Sequence, residues 1–429
     1  MGKEVKYTVT IIEEDRIQNI VLNKFKKQRI LIGRSTNNDI VLNSLLVSPY
    51  HGFFELVDNK VRIVDNNSVN GLFVNNTKVI ETYLQDGDAI KIDNPANPLA
   101  MGVIMIVTLG ENLDEWQQYD LNSVKVTKIG RDPKSNIVLN HVSVPLNIAN
   151  IYKKDDKYVL APADNLLGGA VTLKDRDVIL IADAKLIYVH DRILYQMYDK
   201  GVGVDAVDIV KTVSVKGKKR DISYHVNLAI KPGEFVALVG GSGAGKSTFM
   251  NCISGVSKPT SGHVYVNGND LFKNYSVLKK IIGYVPQDDI VFKDLTLYDM
   301  LKYSANLRMS DDASLEEKKQ RIKEVLEIVE LTTKKDVMIR NLSGGQRKRA
   351  SIAVELLADP KLFFLDEPTS GLDPGTERSL MHILKKMAAS GKTIILVTHN
   401  TLNLHLCDKI CFFGEGGKLC FAGSPKDTL

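Results

Sequence analysis

The stretch GGSGAGKST, Gly240 to Thr248, constrains the fold of this chain more than any other feature. It follows the apolar run EFVALV and fits the pattern G-x-x-x-x-G-K-[ST] through Gly240, Gly245, Lys246 and Ser247. The glycines let the backbone wrap a phosphate with its N–H groups pointing inward, and the N-terminus of the following helix adds positive potential. The pattern therefore predicts a nucleotide-binding loop, with Lys246 on the β- and γ-phosphates and Ser247 on Mg²⁺.

Two further apolar runs end in residues that carry chemistry. KLFFLDEP ends in Asp366 and Glu367, and TIILVTH ends in His399. Central parallel strands bring their carboxyl ends to one edge of a sheet, where Mg²⁺ would find carboxylates beside phosphate oxygens. Taken alone, the two carboxylates could instead be a charge pair at a helix N-terminus. His399 could equally be a buried histidine with a structural hydrogen bond.

The character of the sequence changes near residue 200. A chain of 429 residues is long enough for about three domains. Up to about residue 195, short strands separated by Asn, Asp, Gly and Pro predict β-sandwiches, and after about residue 205 strands alternate with helices, which indicates a parallel α/β sheet. The clearest predicted helix is SLEEKKQRIKEVLEIVELT. Ser314 and Glu317 form a capping box there, and one face is apolar through Ile322, Val325, Leu326 and Val329.

Composition excludes several other classes of protein. The net charge of +5 is small for this length, and no basic arm is present, so nucleic acid is not required as a partner. The start MGKEVKYTVT has no apolar core of a signal peptide, and the apolar run LAMGVIMIVTL falls well short of the roughly 20 residues of a membrane helix. Four cysteines without a CxxC pair predict reduced, mostly buried thiols in a cytosolic protein.

The segment NLSGGQRKR, Asn341 to Arg349, resembles the signature sequence of ABC ATPases. It stands between the phosphate-binding loop and FLDEPTSGLD, and GYVPQDD supplies Gln287, as in that family. The resemblance covers residues 205–429 and is closest to the G-type branch of ABC transporters, in which the nucleotide-binding domain precedes the membrane domain. It implies an ATPase that uses ATP and Mg²⁺ and works as a dimer.

The resemblance also implies a role for each matching residue. Asp366, Gln287 and Ser247 would hold Mg²⁺, Glu367 would orient the attacking water, and His399 would contact the γ-phosphate. Asp373 would belong to the D-loop between the two sites of the dimer. The ATP-binding loop would comprise Gly240, Gly241, Ser242, Gly243, Ala244, Gly245, Lys246, Ser247 and Thr248, and the signature residues acting on the partner's ATP would be Ser343, Gly344, Gly345 and Gln346.

One departure from the ABC pattern concerns the base of the nucleotide. Many ABC domains stack adenine on an aromatic about two dozen residues before the loop, where this chain reads TVSVKGKKRD. Val213 and Val215 offer apolar contact without a ring, and Tyr224 lies too near Gly240 in sequence. We therefore expect weak base selectivity, with GTP able to substitute for ATP.

A near repeat organises the first half of the chain. ILIGRSTNNDIVLN, which contains Arg34, returns 97 positions later as KIGRDPKSNIVLN, which contains Arg131. The region LIGRSTNNDIVLN…VSPYHGFFE…VDNNSVNGLFVNN resembles a forkhead-associated (FHA) domain over residues 5–110. The resemblance implies a sandwich that reads phosphothreonine.

In that interpretation, Arg34 and Ser48 would bind the phosphate, His51 would brace the loops and Asn70 would hold the peptide backbone. A guanidinium fork with a hydroxyl suits a doubly charged group with three acceptor oxygens. The alternative is that Arg34 only pairs with an acid such as Asp39. Pro49 departs from the family, which commonly has an arginine after the serine.

The second copy retains fewer of these residues. Gly130, Arg131 and Ser143 persist, but Leu146 stands where the bracing histidine is expected, and ADNLLGGAVTL lacks the Asn-Gly pair. A sandwich can survive such changes because its core depends on apolar alternation, whereas recognition depends on the loops. The second copy is predicted to be a degenerate FHA domain.

The predicted fold is therefore multidomain: two all-β FHA sandwiches, then an α/β P-loop NTPase (ABC ATPase) domain with a helical subdomain. The predicted boundaries are 1–112 for the first FHA domain, 113–195 for the second, 196–206 for a linker and 207–429 for the ATPase domain. The predicted function is the ATP-hydrolysing portion of an ABC transporter, regulated by phosphothreonine.

The expected partners are a second ATPase domain in a homodimer, a transmembrane permease domain downstream, and a phosphothreonine protein with its Ser/Thr kinase. The expected location is the cytoplasmic face of the cell membrane. One alternative is a soluble ABC ATPase acting on ribosomes or DNA, although such proteins usually carry two ATPase domains. A phosphopeptide scaffold with an inactive ATPase conflicts with intact Lys246, Glu367 and His399.

Overall fold

The computed structural model describes residues 7–13, 16–57, 60–74, 77–84, 88–93, 102–109, 116–163, 169–174, 177–189, 191–198, 201–215 and 218–428. The chain divides into two compact units. The first comprises Met1–Leu113 with Asn267–Asn269, and the second comprises Asp114–Val266 and Asp270–Leu429.

The first unit is a sandwich of two mainly antiparallel sheets. Their orders are β2-β1-β11-β10-β7-β8 and β4-β3-β5-β6-β9. Alternate residues of the strands face inward, so that Val9, Ile32, Phe54, Ile63 and Met105 are fully or almost fully buried in one core. The strands are Tyr7–Glu13 (β1), Arg16–Val21 (β2), Arg29–Gly33 (β3), Ile40–Val41 (β4), Gly52–Val57 (β5), Lys60–Asp65 (β6), Leu72–Val74 (β7), Thr77–Val79 (β8), Glu81–Leu84 (β9), Ala89–Ile92 (β10) and Val103–Leu109 (β11), and a 3₁₀ turn covers Leu22–Phe25.

A second sandwich begins the second unit. Its two sheets have the orders β14-β13-β15-β16-β17 and β12-β20-β19-β18. The larger sheet has the same arrangement as the five-stranded sheet of the first unit, including a parallel first pair of strands. The strands are Gln117–Asp120 (β12), Val126–Gly130 (β13), Ile137–Val138 (β14), Ala149–Lys154 (β15), Lys157–Pro162 (β16), Val171–Thr172 (β17), Val178–Ile181 (β18), Ala184–Val189 (β19) and Arg192–Met197 (β20).

The rest of the second unit has an α/β architecture. An antiparallel sheet has the order β22-β21-β24-β25, and a mainly parallel sheet has the order β26-β27-β28-β23-β29-β30, with β30 antiparallel. The strands are Val204–Val215 (β21), Lys218–Ile230 (β22), Phe235–Gly240 (β23), Ser261–Val266 (β24), Asn269–Asp270 (β25), Ile282–Val285 (β26), Leu362–Asp366 (β27), Thr393–Thr398 (β28), Lys409–Gly414 (β29) and Lys418–Gly423 (β30).

The parallel sheet brings the predicted site residues to one edge. β23, β27 and β28 run side by side, with Val236 paired to Ile395 and Phe364 paired to Ile395. All three strands have buried, apolar interiors, which the continuous apolar runs predicted. Because the strands are parallel, the phosphate-binding loop, the carboxylate pair and His399 leave the sheet at the same end.

Helices flank this sheet, and three of them form a helical region whose core continues into the sheet. α4 begins after Ser314, whose hydroxyl accepts from the Glu317 N–H while the Glu317 carboxylate accepts from the Ser314 N–H. The predicted capping box and apolar face are therefore confirmed. The helices are Lys246–Ile253 (α1), Tyr275–Leu278 (α2), Leu297–Arg308 (α3), Leu315–Ile328 (α4), Gly344–Leu356 (α5), Pro374–Ala389 (α6) and Pro425–Thr428 (α7), and α3, α4 and α5 pack together around one core.

The second sandwich and the α/β region share a hydrophobic core. One cluster of buried side chains runs from Ile129 and Leu186 of the sandwich to Val204, Phe249 and Phe364 of the α/β region. The linker predicted over residues 196–206 lies partly within strands, because β20 ends at Met197 and β21 begins at Val204. The second sandwich is thus packed against its neighbour rather than tethered to it.

Two simpler predictions concern cysteines and apolar segments. Cys252, Cys407 and Cys411 are buried, Cys420 is exposed, and all four are free thiols. Within the described ranges, no helix is long and apolar enough to cross a membrane.

Candidate functional site

The loop between β23 and α1 has the conformation that a phosphate needs. Gly245 has a φ of +86°, and a Cβ atom there would lie 2.2 Å from the Ile222 carbonyl oxygen, so only glycine fits. Lys246 is 6% exposed, and its ammonium donates to the carbonyl oxygens of Gly240 and Gly241, each at 2.9 Å. The loop therefore holds a buried cation at the N-terminus of α1, where it could bind phosphate oxygens.

Ser247 and Asp366 meet across the edge of the sheet. The Ser247 hydroxyl donates to Asp366 Oδ1 at 2.8 Å. Burial raises the pKa of Asp366, and the neighbouring Glu367 raises it further, against the opposing hydrogen bond from Ser247. A divalent cation at this point would relieve that repulsion. No group of three or more His, Cys, Asp or Glu in the described residues could hold a metal, so Mg²⁺ here would need phosphate oxygens as ligands.

Three elements converge on the Glu367 carboxylate. The Gln287 amide, which follows β26, donates to Glu367 Oε2 at 3.1 Å, and His399 Nδ1 lies 3.6 Å from the same oxygen. Glu367 itself has a φ of +45°, a costly conformation for a residue with a side chain. The structure thus brings the three predicted catalytic side chains together, with Gln287 and His399 both beside the carboxylate of the strained Glu367.

The signature and D-loop residues both begin helices. Ser343 caps α5 in a capping box with Gln346, and Asp373 caps α6 by accepting from the N–H groups of Gly375 and Thr376. Side-chain and backbone hydrogen bonds from Thr376 lower the pKa of Asp373. Across the part of the chain that is described, no hydrogen bond or ion pair joins residues 343–346 to the phosphate-binding loop. The signature therefore presents a helix N-terminus that the same chain's loop does not contact through polar groups.

Lys348 is a site residue that sequence reasoning missed. It lies on α5, is 5% exposed, and donates to the Gln287 carbonyl oxygen at 2.7 Å while pairing with Asp289 at 3.0 Å. In the sequence it is one cation of the run RKR, and such runs are typical of solvent-exposed helix faces. Only the packing of α5 against β26 reveals that it anchors the loop that carries Gln287.

Tyr224, which the sequence places too near Gly240 to match the usual adenine-stacking position, lies beside a turn that approaches the phosphate-binding loop. It is 46% exposed, its N–H donates to the Gly417 carbonyl oxygen at 3.1 Å, and Lys418 Nζ lies 5.2 Å from its ring centre. The same turn approaches the loop, because a Cβ on Gly245 would lie 3.0 Å from the Gly417 Cα. An exposed ring is thus available on this side of the loop.

In the first unit, Arg34 and Ser48 lie on adjoining loops. Arg34 is exposed, and its Nε donates to the Val47 carbonyl oxygen at 3.3 Å, which leaves the outer guanidinium nitrogens directed away from this contact. The alternative pairing with Asp39 is wrong, because Asp39 binds Lys27 at 2.5 Å and accepts from the Leu31 N–H. Among the described residues, no carboxylate pairs with the Arg34 guanidinium.

His51, Ser68 and Asn70 tie the recognition loops together. His51 is fully buried, accepts from the Ser48 N–H at Nδ1 and contacts the Gly71 carbonyl oxygen and the Ser68 hydroxyl at Nε2. Burial lowers the pKa of His51, so the ring is neutral. Asn70 donates to the Leu46 carbonyl oxygen at 2.7 Å. Ser68 was not predicted, because a serine in a polar turn carries no distinguishing signal.

The backbone of the second sandwich corrects one alignment made from sequence. The Arg34 N–H donates to the Ser48 carbonyl oxygen at 3.0 Å, and the Arg131 N–H donates to the Pro145 carbonyl oxygen at 2.9 Å. Pro145, rather than Ser143, is therefore the counterpart of Ser48. The second copy lacks a counterpart of the Ser48 hydroxyl.

The counterpart of His51 also differs from the prediction. The His51 N–H donates to the Ile32 carbonyl oxygen at 2.9 Å, and the Ile148 N–H donates to the Ile129 carbonyl oxygen at 2.8 Å. Ile148 rather than Leu146 thus occupies the histidine position. The two copies keep a constant offset of 97 positions here, so the serine and leucine that resemble the motif in the second copy stand two residues before the true counterparts. Residues 164–168 of ADNLLGGAVTL, where the Asn-Gly pair was sought, lie outside the described residues.

The phosphate-binding loop after β23, the carboxylates at the end of β27 and the helix-capping SGGQ motif define an ATPase of the ABC class. Comparison with known families agrees: the family described as ABC transporter matches residues 224–370, and the FHA domain matches residues 30–93. The chain therefore contains an ABC transporter ATP-binding domain, which is an ATPase domain, preceded by an FHA domain.

Two curated transporters and a solved ATP-binding cassette are similar to parts of this chain. An ABC transporter ATP-binding/permease protein of Mycobacterium tuberculosis is 31% identical over 92% of this chain and 36% of its own length. ABC transporter G family member 1 of Dictyostelium discoideum is 36% identical over 50% of this chain and 28% of its own length. A solved dimeric ATP-binding cassette with ADP and Pi is 30% identical, with a TM-score of 0.47, over 52% of this chain and 98% of its own. This chain spans only about a third of these transporter relatives.

Proposed function

We propose that the chain is the ATP-hydrolysing portion of a G-type ABC transporter and that its first FHA domain regulates it by binding phosphothreonine. The observation that carries the first part is the convergence of Gln287 and His399 on the Glu367 carboxylate beside the Ser247–Asp366 pair. Relatives such as the Mycobacterium tuberculosis and Dictyostelium discoideum proteins support a transporter over an ATPase acting on ribosomes or DNA, because they are named as ABC transporters.

In this proposal the chain's residues bind ATP and position water. The N–H groups of the loop and Lys246 hold the phosphates, while Ser247, Asp366 and Gln287 hold Mg²⁺, whose charge would offset the negative charge of the phosphoryl oxygens. The Glu367 carboxylate, fixed by Gln287, orients the attacking water, and His399 contacts the γ-phosphate. Such catalysis consists mainly of positioning and charge stabilisation.

A second copy of the chain would complete the site. The N-terminus of α5, with its Ser343 cap, presents N–H groups that suit a γ-phosphate held by the partner, and Asp373 would link the two sites. ATP would close this dimer and hydrolysis would reopen it.

Substitution of Glu367 tests the catalytic assignment. Glu367→Gln keeps the shape and the hydrogen bond with Gln287 but removes the charge that orients water, so turnover should fall by roughly 10²–10⁴-fold while Mg²⁺-ATP still binds. Lys246→Ala should instead lose nucleotide affinity. Steady-state ATPase rates and equilibrium binding of ATP measure the two effects. Wild-type turnover by a purified Glu367→Gln protein that binds ATP would refute the role of Glu367.

An apolar groove beside the Gln287 loop supports a membrane partner. Ile290, Phe292 and Leu307 line it and are 74%, 72% and 87% exposed, which is unusual for large apolar side chains lying together. The groove continues to Tyr284 and Pro286, so a helix bound there would press on the segment that positions Gln287. We propose that a permease domain at the cytoplasmic face of the membrane docks in this groove.

The first FHA domain would bind phosphothreonine through Arg34 and Ser48. The Arg34 guanidinium and the Ser48 hydroxyl offer donors to the phosphate, and the exposed side chains of Leu45 and Val69, at 82% and 86%, offer apolar contact to neighbouring peptide residues. Asn70, held by the loop that carries Leu46, is placed for the peptide backbone. A Ser/Thr kinase would create the ligand, and the second sandwich would be a degenerate FHA domain.

Calorimetry with a phosphothreonine peptide library tests this binding. Arg34→Ala should weaken binding at least tenfold, because a charge-assisted hydrogen bond contributes roughly 1.5–3 kcal/mol. Arg34→Lys should also bind less well, since the fork is lost, and the unphosphorylated peptide should not bind. Arg131→Ala is the matched control and should change little. Binding that survives Arg34→Ala and disappears with Arg131→Ala would reverse the assignment.

A further inference from the structure

Arg131 has the same backbone setting as Arg34 but a different environment. Its Nε donates to the Val144 carbonyl oxygen at 3.0 Å, as Arg34 Nε does to Val47. The Arg131 side chain, however, is only 12% exposed. Its outer nitrogens bind two carboxylates from the ATPase domain, Glu317 through Nη1 and Asp312 through Nη2 at 3.3 Å.

Backbone groups of the second sandwich complete the contact. The Leu146 N–H donates to Asp312 Oδ2 at 2.6 Å, and the Ser310 N–H donates to the Val142 carbonyl oxygen at 3.0 Å. Asp312 thus accepts hydrogen bonds from the Arg131 guanidinium and the Leu146 N–H. Leu146 lies on the loop whose counterpart in the first copy carries Ser48 and Pro49. Although burial opposes ionisation of Asp312, the Leu146 N–H, Ser310 and Arg131 hold its pKa below the ordinary value.

A second contact lies at the base of the catalytic strand β27. His141 Nε2 lies 3.3 Å from the Asp359 carbonyl oxygen, and Asp183 of the sandwich pairs with Lys361 at 3.2 Å. Asp359 in turn binds Arg321 of α4 at 3.0 Å. The second sandwich therefore touches both the helical region and the strand that delivers Asp366 and Glu367.

We propose that the former phosphate-binding loop of the second sandwich is an intramolecular receptor for the acidic turn from Asp312 to Glu317, and that this contact clamps the helical region against the catalytic sheet. The carboxylates of Asp312 and Glu317 accept the hydrogen bonds that a phosphate would otherwise accept from this loop. Lacking a counterpart of the Ser48 hydroxyl, the loop suits planar carboxylates, which a guanidinium binds in a fork. The second copy has become part of the ATPase, and its regulatory effect on turnover rests on the proposed function.

Hydrogen–deuterium exchange of the full chain tests the contact without relying on ATP turnover. The amides of Leu146 and Ser310 donate across the interface and report on it directly. Arg131→Ala and Asp312→Asn should each raise their exchange by about tenfold, because each removes a charge-assisted contact. Asp311→Asn is the matched control: it removes an adjacent acid for which the described residues provide no hydrogen bond or ion pair, and it should change nothing. Amides of β27 should stay protected in every variant, which separates loss of the clamp from unfolding.

A conservative variant and a phosphopeptide complete the test. Arg131→Lys keeps the charge but loses the fork, so it should retain part of the protection that Arg131→Ala removes. ATPase rates of Arg131→Lys and Arg131→Ala, measured alongside, should follow the protection in the same order. Unchanged exchange at Leu146 and Ser310 in Arg131→Ala would overturn the proposal. It would also fall if a phosphothreonine peptide deprotected these amides in the wild type but not in Arg131→Ala, since the loop would then be a phosphopeptide receptor.

Discussion

At the scale of single residues, the position of Gln287 depends on Lys348. A buried ammonium is costly unless it is fully paired, and Lys348 is paired with the Gln287 carbonyl oxygen and with Asp289. The cation therefore couples the signature helix to the loop whose amide contacts Glu367. A change in the position of α5 would be transmitted toward the Glu367 carboxylate through this side chain.

Substituting Lys348 should lower turnover without removing nucleotide binding. Lys348→Met loses a charge-assisted contact worth roughly 1.5–3 kcal/mol, so we expect kcat to fall at least tenfold while the Kd for ATP changes little. Arg349→Met is the control, because Arg349 lies on the same helix but donates to the Val329 carbonyl oxygen instead. Single-turnover kinetics and thermal unfolding separate the two effects. Equal losses of kcat in both variants would mean that Lys348 acts only through stability.

The residues of the ATP site could be predicted from sequence because each stands at the end of an apolar strand or in a glycine-rich loop. Ser247 and Asp366 lie 119 positions apart, yet parallel strands bring them within 2.8 Å. Lys348 and Arg131 could not be predicted. A cationic side chain in a polar stretch is typical of the protein surface. Whether it is buried depends on the residues that pack on it in the fold, and the local sequence does not show these.

At the scale of elements, long periodic helices were easier to predict than irregular strands. The capping box and the spacing of Ile322, Val325 and Leu326 predicted α4 closely. The start of β21 was mistaken for linker, because Gly203 and Asp205 interrupt the apolar pattern there. In the structure β21 pairs with both β22 and β24 through bulges, so non-local hydrogen bonds override local propensity.

The loop that His51 braces should weaken in acid. His51 is buried and neutral, with a pKa below the 6.5 of a free histidine, so the unfolded state binds the proton more readily than the folded state. The stabilisation is complete above that pH and is lost as the pH falls from 6.5 toward the folded pKa. Exchange protection of β5 in the full chain, corrected for intrinsic rates, should therefore decline between pH 7.5 and 5.5.

His51→Gln is the variant that isolates this effect. It should be less stable at neutral pH but show a flatter dependence of β5 protection on pH. His141→Gln, which replaces a buried histidine of the second sandwich, should leave the pH dependence of β5 unchanged. An identical slope in the wild type and His51→Gln would assign the acid sensitivity to another group.

At the scale of the whole molecule, the three predicted domains reduce to two compact units. The first sandwich has its own core, whereas the second shares one with the ATPase domain. The two copies of the repeat differ in the environment of the arginine: Arg34 is exposed, whereas Arg131 is paired with carboxylates of the same chain. The two copies differ in their loop residues but share the arrangement of the sandwich. The repeat in the sequence therefore predicted the fold of the second copy better than its role.

The ATP sites, rather than the sandwiches, should hold two copies of the chain together. Each site presents the loop and Glu367 but leaves the capped N-terminus of α5 for a partner, so two weak half-sites close only around ATP. The purified chain should be mostly monomeric without nucleotide, and its ATPase rate should rise more than linearly with protein concentration. Sedimentation velocity with and without ATP, using Glu367→Gln to prevent turnover, measures the dimer directly, and Lys246→Ala should not dimerise. A stable dimer without nucleotide would instead locate the interface in the sandwiches.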